Sequence, residues 1–262
     1  MTQERDELLA LLRTLTPEDW ARLTVCPGWS VKDVALHLLG DADFGWLSRG
    51  RDKDPTGLIP LSGDYRTFVA ELNRKNERWV DAARALSPRL ICELLEFCGP
   101  MVDAYLATID METTSSVSWA GRDPVPVWLD LARDFTERWV HQQQIRDAVA
   151  RPGLTDENWL RPVLRTFVWA LPHHYGTILA DAGTQLLVTI TGPGGGQWTL
   201  TKCEVGWELD ETVVVTAAAA VELTSDDAWR LLTGGLTDGN RVRQSGDHRL
   251  SSWFLDTRSI II

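Results

Sequence analysis

The sequence predicts an α+β protein in which a bundle of four main helices with long connections is followed by a smaller α/β domain. Three observations predict it. Apolar residues recur at helical spacing through the first 150 residues, β-branched runs begin only at Thr184, and Arg151-Pro152-Gly153 punctuates the chain between the two patterns. The expected organisation is a helical domain over 1–153, a helical connection over 154–183 and an α/β domain over 184–262.

Each element has its own warrant. Residues 3–14 set Leu8, Leu9, Leu11 and Leu12 among charges, giving an amphipathic first helix. Thr16-Pro17-Glu18-Asp19 opens a second, short one with an N-cap and a proline at the first helical position. After the turn Cys26-Pro27-Gly28-Trp29, the segment Ser30-Val31-Lys32-Asp33 resembles a capping box with Asp in place of Glu, so a helix is expected from there to about Trp46. Val34, Leu38, Asp41 and Gly45 share one face of it, with His37 beside Val34 and Leu38. The Pro/Gly-rich stretch Arg49–Gly63 is expected as a surface loop, and Tyr65–Leu86 and Ser87–Thr108 as helices. Asp110–Pro126 is a second expected loop before a long helix from Val127 to about Ala150, and residues 155–182 read as helix interrupted by Pro172.

Thr184–Thr191 and Gln197–Thr201 are short β-branched runs around Gly192-Pro193-Gly194-Gly195-Gly196, which reads as a hairpin loop. That loop lacks the Lys-Ser/Thr ending of a phosphate-binding loop and opens no helix. Glu204–Leu209 and Thr212–Ala218 are expected strands, Thr224-Ser225-Asp226-Asp227 caps a helix through Leu232, and the apolar tail Trp253–Ile262 is expected to pack onto this domain.

Composition narrows the function. The 262 residues hold 26 Lys+Arg against 37 Asp+Glu, a net charge of −11 with no basic run, which excludes nucleic-acid binding through a general basic face. No apolar run approaches the ~20 residues of a membrane span, and the start Met1-Thr2-Gln3-Glu4-Arg5 is polar, so a soluble cytoplasmic protein without membrane partners is expected. Cys26, Cys92, Cys98 and Cys203 are widely spaced, as free thiols in a reducing compartment are. The 13 tryptophans serve either core packing or the walls of a small-molecule pocket, and Trp29 and Trp46, flanking the His37 helix, carry both readings.

The most informative segment is Phe135–Ala148. Glu137 and His141 are four apart, one turn along one helical face, and can converge on one point. Carboxylate and imidazole are good ligands for a divalent metal such as zinc, although the same spacing is common on solvated helices. Asp134, Glu137, His141 and Gln144 form a polar stripe beside an apolar one of Trp128, Leu131, Phe135 and Trp139. His37, on the core-facing side of its own helix, is either a satisfied core histidine or the third member of a His, Glu, His set with a fourth position open, the arrangement of a catalytic zinc site. Gln144, one turn beyond His141, is placed to orient it. His173 and His174 are adjacent and point apart, which disfavours a joint metal role.

Cys26-Pro27-Gly28-Trp29-Ser30-Val31-Lys32-Asp33-Val34-Ala35-Leu36-His37-Leu38-Leu39-Gly40-Asp41 and Glu137-Arg138-Trp139-Val140-His141-Gln142-Gln143-Gln144-Ile145-Arg146-Asp147-Ala148 resemble the two ligand-bearing helices of the mycothiol-dependent maleylpyruvate isomerase family, a branch of the DinB-like bundles. The resemblance covers essentially the whole chain. It implies a DinB-like four-helix bundle followed by a sterol-carrier-like α/β domain, with His37, Glu137 and His141 holding Zn2+ or another divalent metal. It further implies mycothiol as thiol cosubstrate and a small electrophile as partner, with isomerisation or S-transfer as the outcome. Family members resembling the isomerase carry an arginine in the helix-end motif where this chain has Gly235, and that departure weakens maleylpyruvate itself as substrate. Arg230 or Arg241 are the candidates to substitute for it. Two other readings stay open at this stage, a non-enzymatic ligand-binding module and a zinc enzyme of non-thiol chemistry on the same scaffold.

Overall fold

A computed structural model describes residues 1–54, 65–115, 125–212, 216–236 and 238–259. It divides into two compact units, Met1–Met111 with Asp134–Gly153, and Glu112–Arg133 with Leu154–Ile262.

The first unit is helical: α1 (Thr2–Leu12), α2 (Pro17–Trp20), α3 (Val31–His37), α4 (Tyr65–Ala83) and α5 (Pro88–Leu106), with the greater part of α6 (Val127–Ala148). Capping boxes start two of them, as expected at Ser30 and beyond the simple N-cap expected at Thr16. Thr16 accepts from the Asp19 amide, Ser30 from the Asp33 amide, and each aspartate reaches back to the amide of its cap. The α3 helix does not stop near Trp46 as expected but runs on to Arg51, and from Leu38 it is wound as π-helix over Leu38–Phe44 and Trp46–Arg51. The cause lies at its start. Trp79 Nε1 of α4 donates to the Leu36 carbonyl at 2.7 Å, and a Cβ on Gly40 would lie 2.0 Å from that nitrogen. An indole laid on the helix takes a carbonyl out of the usual ladder, and wide turns follow. Leu8 and Leu12 of α1, Val34, Leu38 and Leu39 of the α3 rod, Val80 of α4, Leu95 of α5 and Ile145 of α6 form the core of this unit.

In the second unit β1 (Thr114–Ser115) pairs with β2 (Val125–Pro126), a short ladder within what the sequence presents as loop. Then follow α7 (Glu157–Val168), α8 (Leu171–His174), β3 (Gln185–Thr191), β4 (Gly196–Lys202), β5 (Trp207–Asp210), β6 (Ala219–Thr224), α9 (Ser225–Leu232), β7 (Arg243–Gly246) and α10 (His248–Trp253). Among the described residues the sheet order is β5-β4-β3-β6-β7, antiparallel except for the parallel pair β3 and β6. Leu186, Val188 and Ile190 alternate inward on β3, and Ala219, Val221 and Leu223 do so on β6. Gly194, at φ +68°, brings the hairpin loop against α7, where a Cβ would meet the Arg161 amide at 2.3 Å. That close approach is what its glycine serves.

The strand expected at Thr212–Ala218 is displaced. Residues 213–215 lie outside the described residues, and the strand that joins the sheet is β6, six residues whose period of two was obscured by the alanine run before it. The sequence reading also passed over β7 and α10. Most of the expected Arg49–Gly63 loop, the centre of the Asp110–Pro126 loop and the last three residues of the tail lie outside the described residues, while Arg49–Arg51 are helical.

Candidate metal centre

The Ser30 cap fixes where α3 begins, and six residues into it His37 is 3% exposed between Leu36 and Leu38. Trp29 covers it, with ring centroids 5.2 Å apart. The α6 helix brings Glu137 and His141 against it. Glu137 Oε1 lies 3.4 Å from His37 Nε2 and 3.0 Å from His141 Nε2, and the two imidazoles meet edge to face at 4.7 Å. One donor atom from each of the three lies within 4.8 Å of the others.

These distances suit a shared cation. Bonds of about 2.0–2.1 Å in tetrahedral geometry separate two donors by about 3.3 Å, and 3.0 and 3.4 Å are observed. The electrostatics agree. Burial alone would raise the Glu137 carboxyl, but His141 and His37 outweigh it and hold it well below the usual range. Burial likewise opposes charge on His141, and Glu137 overrides it, raising the imidazole well above its ordinary value. The pocket therefore favours a charged carboxylate between two imidazoles, a donor set of the kind that attracts a cation.

Gln144 Oε1 stands 2.7 Å from His141 Nδ1, and since an amide oxygen only accepts, Nδ1 donates and Nε2 is the atom turned toward Glu137. The Cys26 thiol donates to the same oxygen at 3.0 Å. Cys26 was not singled out from the sequence as a site residue; its place in the turn directly before the His37 helix was the available signal. Trp46 does not join the three donors. Its indole donates to Asp134, and its ring lies 6.4 Å from Tyr105. Arg230 belongs to the second unit, paired with Asp226 at 3.1 Å with its guanidinium over the Trp229 ring, and Arg241 is bound to Asp227 at 2.6 Å. His174 Nε2 faces the Trp253 carbonyl at 3.0 Å, a packing role.

The α6 helix also carries a second polar ladder that the stripe reading missed. Arg138 binds Asp43 at 2.8 Å and Asp134 at 3.0 Å, and Arg5 approaches Asp43 at 3.4 Å. Gln142 donates to Glu4 Oε1 at 2.7 Å, and Arg146 donates to Gln142. Arg138, Gln142 and Arg146 recur every four residues, which was the signal. These buried, paired charges fix the rotation of α6 about its axis, and so the direction of Glu137 and His141.

Comparison with known proteins follows this geometry. The family model of the mycothiol maleylpyruvate isomerase N-terminal domain matches residues 1–146. Among solved structures, a histidine-to-alanine variant of the mycothiol-dependent maleylpyruvate isomerase superposes with a TM-score of 0.55 at 13% identity, covering 93% of this chain and 89% of that one. The structure of the isomerase itself gives 0.52 at 15% identity with the same coverage. A search of curated protein sequences found no match.

Proposed function

Since the chain belongs to the family of the mycothiol maleylpyruvate isomerase N-terminal domain, we propose that it is a metal-dependent enzyme that activates a small thiol, mycothiol, for isomerisation or S-transfer on a small electrophile. The observation that carries this reading is the convergence of His37, Glu137 and His141 on one point. Three protein donors from two helices leave a tetrahedral ion one position for an exchangeable ligand. A zinc or other divalent ion there supplies the Lewis acidity that lets a thiol lose its proton near neutral pH.

The chain's own residues do the rest. Gln144 holds His141 in the orientation that presents Nε2. Glu137 supplies the negative charge that makes the pocket attractive to a cation. Trp29 shields His37 from water on one side. The helix-end position that would clamp a carboxylate is Gly235, whose amide donates to the Arg230 carbonyl at 2.7 Å, and Arg230 and Arg241 are already paired with Asp226 and Asp227. The electrophile therefore need not be maleylpyruvate.

Elemental analysis of the purified native protein tests the reading. One zinc or equivalent divalent ion per chain is expected, with its loss in His37→Ala and a perturbed site on titration with mycothiol. A metal-free native protein after loading, or full metal retention in His37→Ala, would overturn the ligand assignment.

A further inference from the structure

Two cations reach Asp41, which lies four residues beyond His37 on the α3 rod: Arg49 from the rod itself and Lys75 from α4. Arg49 Nη2 and Lys75 Nζ each lie 3.6 Å from Asp41 Oδ1, and all three side chains are between a quarter and a third exposed. Arg49 Nη2 also donates to the Asp41 backbone carbonyl at 3.5 Å, so Asp41 engages both cations while its one carboxylate offsets only one of their two charges. Gly45 makes room for this, since a Cβ there would lie 2.5 Å from Arg49 Nη2. Burial pulls the Lys75 ammonium down, Asp41 pulls it back up, and Arg49 repels it.

The cluster is close to the metal donors. Along the α3 rod, His37 meets Glu137 and His141, Asp43 meets Arg138, and Trp46 meets Asp134, so the rod and α6 run past each other in opposite directions. Asp134, raised chiefly by burial, also feels the charge of Asp41. Asp41 is four residues beyond His37 and Asp134 three before Glu137, which places Asp41, the carboxylate both cations reach, about one helical turn, some ~5 Å, along the axis from the donor set.

We propose that Arg49 and Lys75 form an anion-binding subsite that takes a carboxylate of the electrophilic substrate beside the metal centre. Two cations around one carboxylate leave a net positive charge in a protein of net charge −11, and a guanidinium flanked by an ammonium matches a second carboxylate. The role of substrate carboxylate rests on the reading of the metal centre given above; the anion site itself does not.

The test is calorimetric titration of maleate, a small dicarboxylate, into native protein, the Arg49→Gln/Lys75→Gln double variant and Asp41→Asn at low ionic strength, with zinc content and circular dichroism recorded for each. Native protein binding maleate, at least tenfold weaker binding by the double variant and at least threefold tighter binding by Asp41→Asn are expected, with fold and metal content unchanged. A merely structural ion cluster would weaken nothing in the first variant and gain nothing in the second. No binding to native protein, equal affinity in the double variant, or weaker binding by Asp41→Asn would overturn the proposal. Repeating the titration after chelation separates the two readings. Binding that persists and still depends on Arg49 and Lys75 supports the subsite even if the metal assignment fails, whereas binding lost wholly with the metal overturns it.

Discussion

His141 uses its two ring nitrogens in opposite directions, Nδ1 toward Gln144 and Nε2 toward Glu137. Gln144→Leu removes the acceptor while keeping the bulk, so metal affinity should fall about 10- to 100-fold, as loss of an orienting partner does elsewhere. Competition against a chromogenic chelator checks it, and an unchanged constant would show that Gln144 only fills space. At this scale the four-residue spacing made a pair of Glu137 and His141 legible, while His37 on the apolar face of a capped helix kept two readings open until the resemblance of the two segments joined the three. What brings Cys26 to Gln144, or Asp43 to Arg138, is packing between segments 118 and 95 residues apart, which no local pattern encodes.

Among the elements, α3 and its π-wound continuation carry the most consequence. Caps are decided within four residues, so the start of α3 at Ser30 was readable; the change of winding at Leu38 depends on Trp79 from another helix and was not. Gly40→Ala should destabilise the first unit by about 1–3 kcal/mol through the clash with the Trp79 ring, measured as a lower urea midpoint. A midpoint equal to that of the native protein would mean that the indole can move aside. The α6 ladder makes a sharper pair of predictions. Arg138→Met alone leaves buried Asp43 with only the longer Arg5 contact and should cost about 3–5 kcal/mol, whereas Arg138→Met with Asp43→Leu should recover part of the loss, the part that remains being the Asp134 contact of Arg138 and the Asp43 contact of Arg5. The β6 strand shows the opposite failure, a correct element type set in the wrong place, because an alanine run hides where the alternation begins.

For the whole molecule, the pattern of shifted groups sets the response to acid. Burial opposes the charge of Asp33, but Arg84 at 2.8 Å and the amide and hydroxyl of Ser30 at 2.9 and 2.8 Å outweigh it and hold the carboxyl below its usual value of 3.8. A carboxyl depressed on folding contributes stability that is present above its unfolded value and is lost as pH falls through the folded one. Denaturant midpoints measured from pH 6 downward should therefore fall below about pH 4, and Asp33→Asn should flatten part of that decline; a variant whose midpoints track the native curve would remove Asp33 from the account. Among the described residues no helix is long and apolar enough to cross a membrane. The division into a helical unit and a mixed-sheet unit was legible in the switch of hydrophobic period, whereas the β3 and β6 pairing joins strands separated by β4 and β5 and could not be read locally.

The donors of the candidate metal centre lie a hundred residues apart in the chain. An ion gripped by His37 on one side and by Glu137 and His141 on the other would act as a removable cross-link, closing a loop that the unfolded chain must otherwise leave open. Stability then becomes a function of free metal concentration, rising by about 1.4 kcal/mol for each tenfold excess over the dissociation constant. The same clasp would tie the lifetime of the folded chain to the metal supply of its surroundings, so that scarcity would remove the protein as well as idle it.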